Sequence, residues 1–118
     1  MGIAEEEMRE HRLICRIFRE AITEALGSSP HKIILFHLER LFGEDPYGVL
    51  AEDPKAFYIG LQRVLGPGAD VVLSFVDAYL GKRYHVEFPV GEFLTVFTTG
   101  EEKQKQRLFE VISKCVPS

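Results

Sequence analysis

The chain has 118 residues, 46% hydrophobic and 27% charged, with a formal net charge of −4. A length of ~100–150 residues is that of one domain, which can bury roughly two-thirds of its unfolded surface without disulfides or a metal. The acidic balance argues against a general polyanion binder, and no apolar run approaches the ~18 residues of a membrane span.

The pattern predicts mainly α structure: a compact bundle of five or six short helices with one small β element. Residues 5–26 have helical composition, with Ile14, Phe18, Ala21, Ile22 and Ala25 on one face and Gly27 as the stop. Glu5-Glu6-Glu7 stands where the apolar stretch of a signal peptide would lie, so a cytoplasmic location is expected. Ser29-Pro30 reads as an N-cap followed by proline at the first helical position, opening a helix to about Phe42. Ile34, Leu38 and Leu41 form its core stripe, and Gly43 ends it. The Asp-Pro device then repeats. Asp45-Pro46 opens a short helix to about Ala51, and Asp53-Pro54 opens another to about Leu65, striped by Phe57, Leu61, Val64 and Leu65. Gly66-Pro67-Gly68 is a firm break. Residues 69–80 are apolar on most sides, as in a central helix covered by neighbours, and Gly81 closes them.

Beyond Gly81 the character changes. Residues 83–88 alternate polar with apolar and 92–98 are rich in aromatic and β-branched side chains, with Pro89-Val90-Gly91 between them. This predicts a β-hairpin over about 83–98; an extended segment followed by a helical turn is the alternative. Thr99-Gly100-Glu101-Glu102 fits a capping box for a last helix striped by Leu108, Val111, Ile112 and Cys115.

The expected chemistry is sparse. No phosphate loop, nucleophile elbow or zinc-protease helix occurs, so no catalytic set, cofactor or metal is implied. Cys15 and Cys115 are the only cysteines and read as free packing thiols, with a bridge between the terminal helices as the alternative. His11 and Cys15 share a helix face, a spacing that could hold half of an intersubunit metal site or poise a thiolate. His31, in a helical first turn, and His85, on the expected strand, read as surface residues. Glu44-Asp45 and Glu52-Asp53 read as helix-capping positions rather than catalytic acids. Phe36, Phe57, Tyr58, Phe75 and Tyr79 would line the site of a small-molecule binder or an enzyme if they converged; otherwise they are core. Asn is absent and Gln occurs only at 62, 104 and 106, a composition that either reflects a heat-adapted source or is chance.

The most patterned polar feature is Arg9, Arg12, Arg16 and Arg19, within an arc of roughly 80° on the first helix. It reads as a solvated face balanced by Glu5–Arg9 and Arg16–Glu20 spacings. The alternative is a partner surface, for protein or, less readily at this net charge, nucleic acid.

One segment carries a resemblance. It runs from Leu26-Gly27 through the helix Ile33-Ile34-Leu35-Phe36-His37-Leu38-Glu39 and the step Glu52-Asp53-Pro54-Lys55-Ala56-Phe57. It continues through Leu61-Gln62-Arg63-Val64-Leu65-Gly66 and Gly68-Ala69-Asp70-Val71-Val72 to Leu80. This resembles the small archaeal helical domains described as signal-transduction output domains. The resemblance implies a non-catalytic module, alone or attached to sensors or regulators, and brings no functional residue set with it. The expectation for the whole chain is a protein-interaction or regulatory output module that self-associates, with strand addition at the hairpin edge as one route.

Overall fold

The first helix organises the molecule. The computed structural model describes residues 2–89 and 91–114, with side chains from residue 8 onward, in seven helices among them. Helix α1 (Gly2–Leu26) buries Ile14, Ile17, Phe18, Ala21 and Ile22, and α2, α3, α5 and α7 all pack against it. Helix α2 (Ser28–Phe42) folds back after Gly27, whose φ of 88° and ψ of 156° suit glycine, and closes on left-handed Gly43. The Asp-Pro signals act as read. Asp45 accepts from the Tyr47 amide at 3.2 Å to open α3 (Pro46–Glu52), and Asp53 accepts from the Ala56 amide at 3.2 Å to open α4 (Pro54–Leu65). Each such cap is worth about 1 kcal/mol.

Five expectations about the elements differ from the structure. Seven helices, not five or six, stand among the described residues, because residues 92–99 form a helix of their own. The cap of α2 is Gly27, with no side-chain bond, and Ser29 lies inside the first turn with Pro30. Proline is tolerated there because the first amides of a helix have no intrahelical acceptor anyway. Helix α5 (Gly68–Tyr84) runs through Gly81 and ends at His85, the one described non-glycine residue with positive φ, 58°. The hairpin over 83–98 is absent: among the described residues there is no strand. Arg83 and Tyr84 belong to α5, residues 85–89 are irregular, and α6 (Glu92–Thr99) takes the aromatic run. Phe93, Val96 and Phe97 recur at helical spacing and are buried together, so burial on a helical face outweighs their β propensity. The capping box also dissolves. Thr99 ends α6, its hydroxyl donating to the Thr95 carbonyl at 2.9 Å, and α7 (Glu102–Ser113) begins after Glu101 with no side-chain cap. Leu108 and Ile112 of α7 are fully buried; Cys115 lies outside the described residues.

Ring contacts and two polar ties hold the core around α1. Phe18 stacks on Phe93 with centroids 6.2 Å apart and meets Phe97 edge-on at 6.0 Å. The Tyr84 hydroxyl of α5 donates to Glu20 of α1 at 2.7 Å. Burial, then that hydrogen bond and the carboxylate charge, push Tyr84 up to about 12, so it stays a neutral donor at ordinary pH. Lys105 of α7 donates to the Glu52 carbonyl at 2.6 Å, satisfying an otherwise orphan acceptor at the end of α3. Where α2 crosses α4 the approach is close enough that a Cβ on Gly60 would overlap the Phe42 ring.

Candidate partner-binding faces

The arginine stripe divides in two. Arg19 is occupied within the fold: its guanidinium lies 3.9 Å from the Asp45 carboxylate and 4.9 Å from the centre of the Tyr47 ring. It therefore ties α1 to the start of α3, while Arg9, Arg12 and Arg16, exposed like Arg19, form no ion pair among the described residues. The expected Arg16–Glu20 ion pair is not formed among the described residues, since Glu20 instead serves Tyr84. The Glu5 side chain lies outside the described residues. Arg12 borders an open groove of about 650 Å³ between α1, the end of α3 and α7, where Met8, Phe109 and Ala51 meet Glu52 and Lys105.

Cys15 packs as expected and His85 is exposed as expected, but His31 faces inward. Cys15 is a free thiol whose sulfur donates to the Tyr47 carbonyl at 3.3 Å. Burial first, and the Asp45 charge second, push its pKa up, the reverse of a poised thiolate. The alternative bridge to Cys115 lies outside the described residues. His31, expected on the surface, is buried at 8% exposure, its Nε2 2.8 Å from the Tyr47 hydroxyl. The same tyrosine ring thus receives Arg19 on one side and His31 at its tip, and ties α1, α2 and α3 together. Among the described residues no three His, Cys, Asp or Glu side chains are grouped to hold a metal ion.

The five aromatics do not converge. Phe57 and Tyr58 are buried, the latter hydrogen-bonded to Asp70, whereas Phe36 and Phe75 are more than half exposed on separate helices. What the structure leaves uncovered is the outward side of α2. Ile33 is 60% exposed and Phe36 54%. Of the expected core stripe Leu38 is buried and Ile34 half-buried against the core, while Leu41 is 42% exposed on the flank beside Gly60 of α4. His31 is the other buried position, and it and Leu38 lie roughly 140–160° around the helix from Ile33. Arg40 holds its guanidinium 5.7 Å from the Phe36 ring, and the His37 ring meets Phe36 edge-on at 5.7 Å. Exposed aromatic and arginine side chains set together are the composition of interface anchors. Four consecutive apolar residues, Ile33 to Phe36, cover every side of one helical turn. Only the side that meets α1, α3 and α4 can be buried, so an apolar outer side was implicit there. A second uncovered pair, Val71 and Phe75, lies on α5, which is apolar on most sides as expected but, contrary to expectation, is covered on one side only.

No described helix is long and apolar enough to cross a membrane. No protein-family model, no curated protein and no solved structure matches this chain.

Proposed function

We propose that this chain is a protein-interaction module without catalysis of its own, and that the outward side of α2 is its docking face. The observation that carries this reading is the set Ile33 and Phe36 with Arg40, exposed on the side of α2 opposite buried His31 and Leu38. A regulatory output role of the kind implied by the resemblance fits such a module. Its partner is a protein, because an apolar ridge edged by single charges offers a polyanion little to bind. Strand addition is not the route, as no described strand offers an edge.

Photo-cross-linking in living cells tests the reading at natural concentration. A photoreactive residue at position 36 is expected to give discrete protein adducts, while one at exposed Gln62 on α4 gives none. Equal yields from both positions, or none from position 36, would remove α2 as the docking face.

A further inference from the structure

Resting on the docking reading above, we infer that the partner seated on α2 is a second copy of this chain, its α2 antiparallel to the first across a two-fold axis near Phe36. A two-fold interface must be complementary to itself: if residue i of one copy meets residue j of the other, then j also meets i. The outward side of α2 meets that requirement in both its apolar and its charged positions.

The apolar ridge is centred where the axis would pass. Ile33, Phe36, His37 and Arg40 span an arc of roughly 100° around α2; Phe36 lies at the edge of that arc nearest Lys32 and Glu39, and about midway between Ile33 and Arg40 along the helix axis. Antiparallel pairing about Phe36 sets the two Phe36 rings against each other. It also lays each Ile33 along the aliphatic stem of Arg40 of the second copy, where the charged head can still reach water.

The flank supplies the direction. Lys32 and Glu39 are both exposed and lie within roughly 20° of each other around the helix. Their seven-residue separation corresponds to about 10 Å along the axis. The midpoint between them falls beside Phe36. In the antiparallel arrangement Lys32 of each copy therefore faces Glu39 of the other, and the attraction occurs twice. In a parallel two-fold arrangement this flank of the second copy lies at the opposite edge of the interface, so Lys32 and Glu39 do not meet and the attraction is absent. The uncovered pair on α5 has no such feature: Asp70 and Asp77 flank Val71 and Phe75 with like charges. An interface centred on one 15-residue helix is small, so the dimer is weak and concentration-dependent.

Reciprocal charge reversal tests the geometry. Sedimentation velocity is run from about 1 μM to about 1 mM on the intact chain, on Lys32→Glu, on Glu39→Lys, and on an equimolar mixture of the two variants. Each single variant places like charges opposite one another at both symmetric positions, and its self-association is expected to weaken about tenfold. The mixture restores an opposite-charge pair at both positions, so a heterodimer forms with about the affinity of the unaltered chain. Single variants that self-associate as well as the unaltered chain, or a mixture no tighter than its components, would overturn the antiparallel pairing. A chain monomeric over the whole range would overturn self-pairing altogether. That outcome leaves docking to a different protein to be decided by the cross-linking yield at position 36.

Discussion

Phe18→Ala lowers the free energy of unfolding by about 3–5 kcal/mol, the cost of emptying a fully buried phenylalanine site. The side chain is 0% exposed and lies between the Phe93 and Phe97 rings, so its removal opens a cavity where α1 meets α6. Neither ring can collapse freely into the gap, because Phe93 also packs on Phe88 at 5.3 Å and on Phe97 at 5.3 Å. A domain of this size commonly has about 5–15 kcal/mol of stability in total, so the variant would lose a large share of it. Urea unfolding followed by circular dichroism measures the effect as a fall in midpoint at unchanged slope. A loss below about 1 kcal/mol would mean that the aromatic cluster does not pack as described.

The second large effect concerns Tyr47. In Tyr47→Phe the ring keeps its contacts with Arg19 and Phe57, but His31 Nε2 loses its partner in a buried site. Leaving that nitrogen unsatisfied costs about 1–3 kcal/mol. The pair also makes stability depend on pH. Burial, and then the positive charge of Arg19, lower the His31 pKa from its ordinary 6.5. The folded state therefore holds the imidazole neutral, while the unfolded chain takes up a proton near pH 6.5. The contribution is complete above that pH and is lost progressively as pH falls toward the depressed folded value. Unfolding free energy measured between pH 8 and pH 5 is expected to fall more steeply for the unaltered chain than for His31→Gln. Equal slopes would show that His31 protonates as easily in the folded protein as in the unfolded one.

Much of the fold was legible because helix ends are local chemistry. Asp45 and Asp53 accept from amides two and three residues on, Pro46 and Pro54 follow them, and left-handed Gly43 stops α2; none of these needs a distant partner. The faces of α1 and α4 followed from spacing, since polar residues mark their outer sides. Legibility ended where tertiary contact decides. The run Phe93–Phe97 suits a strand by composition, and only its packing on Phe18 and Phe88 selects a helix. His31 looked exposed in a first turn, yet the fold brings Tyr47 of α3 over it. Gly81 resembled a stop, although α5 continues through it and ends at His85. At the candidate site the arginines were visible in the sequence, but Arg19 belongs to the fold through Asp45 and Tyr47. The outward side of α2 was hidden for the opposite reason. A turn that is apolar all round does not say which side its neighbours will cover.

A dilution series followed by residue-resolved amide NMR tests the docking face and its occupant together. Between about 1 mM and about 20 μM, the resonances that move are expected to belong to Lys32, Ile33, Phe36, His37, Glu39 and Arg40. Those of Arg9, Arg12 and Arg16 on α1, and of Val71 and Phe75 on α5, should stay still. Concentration-dependent shifts gathered on α5 or along the α1 arginines, with α2 unchanged, would contradict the account.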